Sequence, residues 1–227
     1  PDRDYYTRTD DESKELRDKY VAHVTAMLGL LGDSPENAKA AADAIMTIES
    51  NLAEASLTNV EQRDPNTWYN MVSVPEADKA TPRFSWTSYF AAIGHPETER
   101  FSYAHPKFFA RMDSLLVAVS LNDWKSYLRW QLIHAYAGFL STPFVYENFE
   151  FYAKTLSGSQ ALRPRWKRVL TNINYMMGEA LGQLYVERAF PPSYKVKALE
   201  LVGNLRLALG DRIRALPWTS DSTKQFA

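Results

Sequence analysis

The stretch Arg163–Pro192 reads RPRWKRVLTNINYMMGEALGQLYVERAFPP. Within it Trp166, Val169, Leu170, Ile173, Met177, Ala180, Leu181 and Leu184 recur at intervals that put them on one face of a helix. The run is about 25 residues long, far beyond a strand, and Pro191-Pro192 forces its end because proline offers no backbone N–H. A further helix follows, presenting Val196, Leu199, Val202, Leu205, Leu209, Ile213 and Leu216.

Upstream the same periodicity recurs. Ser34-Pro35-Glu36 is a helix start, with a capping hydroxyl, proline at the first helical position and an acid in the first turn. Ala38, Ala41, Ile45, Ile48, Leu52 and Ala55 continue it as an apolar stripe. Before it Leu16, Tyr20, Val24, Met27 and Leu31 form another, with Gly32 where a C-terminal cap belongs. Phe108, Phe109, Met112, Leu115, Leu116 and Val119 predict one more helix, and Val145, Phe149, Tyr152 and Leu156 a later one. Between them Leu121, Trp124, Leu128, Leu132, Ala135, Tyr136 and Phe139 share a helix with a second apolar face, Trp130, Ile133, Ala137 and Leu140. A helix apolar on most of its circumference is expected at the centre of a fold.

Residues 57–106 differ. Pro65, Pro75, Pro82, Pro96 and Pro106 divide them into short pieces anchored by Trp68, Tyr69, Phe84, Trp86, Tyr89 and Phe90, with room for a brief extended pairing near Arg100–Tyr103. No βαβ alternation occurs. The expected fold is all-α: a multi-helix orthogonal bundle, one domain over 1–227, with an irregular short-helix layer over 57–106.

Apolar residues make up 45% and charged residues 23% of the 227, and the net charge is −1. Such values suit a globular protein and give no field favouring nucleic acid or an anionic membrane. No apolar run approaches a spanning helix, and Pro1-Asp2-Arg3-Asp4 is too charged to open a signal peptide. The absence of cysteine excludes disulfides and thiolate chemistry. Ser220 or Ser222 suits a helix N-cap, so both ends read as cut rather than finished.

The residues offer no catalytic motif. His23, His95, His105 and His134 lack the i+4 histidine partner that would aim two imidazoles at one metal, which assigns each to packing or to the surface. Glu147 and Glu150 lie three apart, a spacing more typical of a solvated helix face than of an acid–base pair. Neither a serine elbow nor a phosphate loop is present. Two features invite a structural question. The cations of Arg163-Pro164-Arg165-Trp166-Lys167-Arg168 sit in the first turns of a helix, where the macrodipole disfavours each by roughly 0.3–1 kcal/mol. Gly178 and Gly182, one turn apart, would let another backbone approach closely.

Taken in order, several blocks of the chain resemble the neprilysin-like zinc metallopeptidases, the neprilysin and endothelin-converting-enzyme type. They are Pro1-Asp2-Arg3-Asp4-Tyr5-Tyr6, Ile48-Glu49 with Leu52-Ala53, and Arg63-Asp64-Pro65 with Tyr69-Asn70. Trp86-x-x-Tyr89-Phe90, Trp124-x-x-Tyr127-Leu128-Arg129-Trp130 and Phe151-Tyr152-x-x-x-Leu156-x-Gly158 continue the series. The Arg165-Trp166 to Phe190 block is the most specific, and Leu216-Pro217-Trp218 with Thr223-Lys224 closes it. One departure is Thr219, where the family more often has Met.

The resemblance implies a two-lobed enzyme whose zinc-binding His-Glu-x-x-His lobe lies C-terminal to the matched region. This chain resembles the helical cap that admits short peptides and excludes folded proteins. No zinc is expected in the chain itself; zinc belongs to the parent, and the expected partners are its catalytic lobe and short peptides. Arg165, Trp166, Arg168 and Glu179 are the candidates for lining the cavity or the lobe interface, with a buried structural role as their alternative. The lack of cysteine, against the disulfides of the animal members, implies a bacterial parent that is exported or periplasmic. A rival reading is a free-standing, non-enzymatic helical interaction module descended from such a cap.

Overall fold

The computed structural model describes residues 2–226; Pro1 and Ala227, which begin and end the sequence read above, lie outside the described residues. The protein is all-α and divides into two compact units, residues 1–162 and 163–227.

The first unit opens with α1 (Asp4–Thr7), α2 (Asp11–Leu30) and α3 (Pro35–Ala55). The Asp10 carboxylate accepts from Ser13 N, and the Ser34 hydroxyl accepts from Asn37 N, so each long helix starts with its exposed N–H groups partly satisfied. Between α2 and α3 the chain reverses at Gly32, whose φ of +97° is open to glycine. Gly32 N–H donates to Gly29 O and Asp33 N–H to Leu28 O, the paired bonds of a Schellman cap. Leu31, already in the turn, is exposed, so the buried stripe of α2 ends at Leu28.

The short elements come next: α4 (Pro65–Trp68), β1 (Met71–Ser73), α5 (Val74–Ala80), α6 (Trp86–Ala92) and β2 (Arg100–Ser102). Strands β1 and β2 pair antiparallel, with Val72 opposite Phe101. Ser73 and Glu76 form a capping box at the start of α5. Trp86 centres a small aromatic core, its ring 4.8 Å from that of Phe101 and 5.0 Å from those of Phe84 and Phe109. Its indole N–H donates to the fully buried Thr81 hydroxyl at 2.9 Å. Trp68 and Tyr69, expected as anchors of this layer, are exposed instead; α4 is a single turn with no buried residue.

Helices α7 (Pro106–Ala118), α8 (Leu121–Tyr136) and α9 (Thr142–Asn148) complete the first unit, followed by a π-helical turn, Phe149–Thr155. Its main core joins Tyr20, Val24, Met27 and Leu28 of α2 to Ala38, Ala42 and Ile45 of α3, Trp130 and Ile133 of α8, and Phe151. Each large apolar side chain buried there contributes about 1.5–3 kcal/mol. Only one face of α8 takes part. Trp130 and Ile133, with Ala137 just beyond the helix, are buried, whereas Leu121, Leu128, Leu132 and Tyr136, with Phe139 in the turn that follows, are exposed, so α8 is not the enclosed helix its composition predicts.

The second unit consists of α10 (Arg165–Ala189), α11 (Pro192–Ala215) and α12 (Asp221–Phe226). Helix α10 has the predicted length, with non-helical backbone angles at Met177, and α11 begins on the predicted prolines. The Ser220 hydroxyl accepts from Thr223 N and caps α12. None of the three helices has a buried residue.

Candidate functional site

The four residues singled out by sequence all lie on α10. Arg165, Trp166 and Arg168 occupy its first turn and Glu179 lies past the irregular residue Met177. Arg165 and Glu179 are exposed, Arg168 is half-buried, and Trp166 is 64% exposed with the Lys167 ammonium 5.3 Å from its ring centre. The Arg168 guanidinium donates to the Arg163 carbonyl at 3.2 Å, one more local contact. Among the described residues the ion pairs of this unit are Arg214–Asp211 and Lys224–Asp221, so the cation run at 163–168 faces the helix dipole with no carboxylate to offset it. Beside Gly178 and Gly182 there is open space where a Cβ would stand, so the described residues of this unit do not make the close backbone approach expected there.

A second constellation, not singled out by the sequence, occupies the core of the first unit. Glu49 on α3 accepts hydrogen bonds from Tyr20 OH at 2.7 Å, Tyr6 OH at 3.1 Å and Gln131 Nε2 at 3.2 Å. The Trp130 indole N–H in turn donates to Tyr20 OH at 3.0 Å. Burial pushes the Glu49 pKa above its ordinary 4.5 despite the tyrosine donors, and no cation pairs with it among the described ion pairs. Burial, reinforced by the Glu49 charge, likewise pushes the hydroxyls of Tyr6, Tyr20 and Tyr152 well above the usual phenol range. The sequence had marked Glu49 only as part of a family block; its partners come from α1, α2 and α8.

Nearby, His23 on α2 is 3% exposed and its Nδ1–H donates to Glu147 Oε1 on α9 at 2.9 Å. A carboxylate only accepts, so that bond fixes the proton on Nδ1 and leaves Nε2 as a bare acceptor. Nε2 is buried without a partner, as is Nδ1 of His134 on α8. The His23 ring stacks on Phe151 with centroids 4.9 Å apart and meets Trp130 and Tyr152 edge-on. Burial lowers the pKa of both histidines below the ordinary 6.5; for His23 this outweighs Glu147, and for His134 the charge of His23 adds to it.

Glu147 and Glu150 do not act as a pair. Glu147 turns to His23, while Glu150 binds the Lys154 ammonium at 2.7 Å on the surface. His95 lies exposed beside Glu97, and His105 precedes α7 without capping it through its side chain. Among the described residues no group of three or more His, Cys, Asp or Glu side chains could hold a metal ion, so the residues present do not fit a zinc ion. Among the described residues no helix is long and apolar enough to cross a membrane.

The chain is matched from end to end by known proteins. A family model described as peptidase family M13 matches residues 1–227, and the chain belongs to that family, in its N-terminal region. It is similar to neprilysin-3 of Drosophila melanogaster, with 23% identity over all of this chain and 30% of the relative. Endothelin-converting enzyme 1 of Cavia porcellus is 24% identical, again over all of this chain and 31% of the relative. Among solved structures, the inhibitor complex of the Mycobacterium tuberculosis zinc metalloprotease Zmp1 is 35% identical with a TM-score of 0.86, covering 99% of this chain and 34% of that one. PepO from Lactobacillus rhamnosis shares the fold at a TM-score of 0.85 and 20% identity, covering 99% of this chain and 36% of that one. The chain spans about a third of the length of the relatives it matches.

Proposed function

We propose that this chain is the helical, substrate-restricting cap of a zinc-dependent endopeptidase that acts on short peptides, and that it is inactive without the rest of the parent. The observation that carries the reading is the end-to-end family match over about a third of the relatives' length, in a chain whose described residues form no metal-binding group. Zmp1 is described as a zinc metalloprotease, and by that similarity zinc belongs to the remainder of the parent. Residues 1–227 work as one cap domain in this reading, with 57–106 as an irregular layer. The cap limits access by size and excludes bulk water around the scissile bond, which strengthens every electrostatic interaction there.

The lobe interface is assigned to the start of α10. Among the described residues of their unit Arg165 and Arg168 pair with no carboxylate, and Trp166 is exposed, as suits residues that find partners elsewhere in the parent. Identity of 35% to a mycobacterial protein, against 23–24% to animal relatives, supports a bacterial parent, and the family resemblance supports a place outside the cytoplasm. In the parent enzyme, Trp166→Ala with Arg168→Ala is expected to raise cleavage of a long polypeptide relative to a short peptide, because the cap closes less well. An unchanged ratio, with cap and lobe still docked, would overturn the assignment.

A further inference from the structure

The junction where α2, α8, α9 and the π-helical turn meet buries His23 and half-buries His134, and leaves one buried ring nitrogen of each without a partner. His23 Nδ1–H is committed to Glu147, and its Nε2 is buried without a partner between Phe151, Trp130 and Tyr152. His134 packs on Trp130 and Tyr152 from the other helix, with its Nδ1 buried and unpartnered. A proton added to His23 creates a buried N–H with no acceptor, inside aromatic walls, and one added to His134 Nδ1 does the same. Two of the walls, Phe151 and Tyr152, belong to the π-helical turn, whose wide i→i+5 geometry marks it as a poor stretch of helix. We propose that this junction is an acid-sensitive latch: protonation of His23 or His134 releases the arm formed by α9 and the π-helical turn from α2 and α8.

The groups facing the two histidines come from every element packed there. From α2 comes Tyr20; from α3, Glu49 behind Tyr20; from α9, Glu147; and from the π-helical turn, Tyr152. The tyrosines stay protonated throughout the acid range. Glu150 and Lys154 pair with each other at the surface. Glu147 favours the imidazolium and burial opposes it more strongly, as the lowered pKa of His23 records. The open form binds a proton at the ordinary 6.5 and the closed form only at lower pH, so closure is fully favoured above 6.5 and is lost as pH falls below it. Glu49 acts in the opposite sense, because its raised pKa favours the closed, protonated form as pH falls. It therefore reduces the response of the whole chain without removing that of the histidines.

Amide hydrogen exchange tests the latch. Between pH 7.5 and 5.5 a histidine of ordinary pKa that must stay neutral in the closed form shifts the opening equilibrium up to about tenfold. Protection of the amides at 149–155, corrected for the intrinsic rate, is expected to fall by up to that factor per histidine relative to the amides of α5 and α6, whose core contains no histidine. His23→Gln keeps an N–H for Glu147 and does not titrate, so it is expected to remove one of these factors. Equal changes at 149–155 and in α5–α6 would overturn the proposal. Should His23→Gln fail to fold, imidazole titration by NMR in the unsubstituted chain decides. Midpoints of both His23 and His134 at or above 6.5 in the folded form overturn the latch, and midpoints below 6.5 together with the loss of protection support it.

Discussion

Tyr20→Phe removes a single oxygen from the centre of the first unit and leaves the ring in place. That oxygen donates to Glu49 at 2.7 Å and accepts from Trp130 at 3.0 Å. Trp130 is 1% exposed, so no solvent replaces the lost acceptor, and its unpaired N–H costs about 1–3 kcal/mol. Glu49 also loses its shortest donor, a bond to a charged group worth about 1.5–3 kcal/mol, while Tyr6 and Gln131 remain. The two losses share one network and do not add in full, which gives a destabilisation of about 2–4 kcal/mol. Against a typical total of about 5–15 kcal/mol this is large. Urea unfolding at pH 7, followed by circular dichroism and tryptophan fluorescence, measures it. Tyr6→Phe serves as the comparison: its hydroxyl donates to Glu49 at the longer 3.1 Å and satisfies no tryptophan, so about 1 kcal/mol is expected. A Tyr20→Phe chain within about 0.5 kcal/mol of the unsubstituted one, or one less damaged than Tyr6→Phe, would refute the reasoning.

Glu49→Gln keeps the shape and an acceptor for the tyrosines, with Gln131 turning its amide to match. Because burial raises the Glu49 pKa, its charge weakens the fold at neutral pH, and that penalty disappears as pH falls through the folded pKa toward 4.5. The variant is therefore expected to be at least as stable as the unsubstituted chain at pH 7 and to lose that advantage at pH 4, measured as the difference in urea midpoints; the reverse order contradicts it. Gly32→Ala forces a Cβ into a backbone with φ of +97° and is expected to cost about 1–2 kcal/mol in the same assay. Gly178→Ala with Gly182→Ala meets no neighbouring atom and is expected to raise helicity at 222 nm, each change favouring helix by up to about 1 kcal/mol. A fall in helicity would show a close neighbour at those positions.

Local chemistry made most helix starts and stops legible. Ser34-Pro35-Glu36, Gly32, Pro191-Pro192 and Ser220 each act where the sequence placed them, because capping depends on residues only a few positions apart. Which face of α8 is buried was not legible. Both faces are apolar, and the choice of Trp130 and Ile133 over Leu128 and Leu132 is made by packing against α2 and α3. The polar core was hidden for the same reason: His23 and Glu147 are 124 residues apart, and Glu49 finds partners 29, 43 and 82 residues away. A lone histidine on an apolar stripe was the available signal, since His23 lies between Tyr20 and Val24 on the buried face of α2. The π-helical turn gave no sequence signal; its residues continue the 3–4 spacing of an ordinary helix.

The central claim is that the metal chemistry of the parent lies outside these residues. Zinc content by elemental analysis, taken together with cleavage of a quenched fluorescent peptide by the purified 227-residue chain, tests it most directly. Zinc well below one equivalent and no cleavage above background are expected. One equivalent of tightly bound zinc with turnover of the peptide that stops on chelation would contradict it.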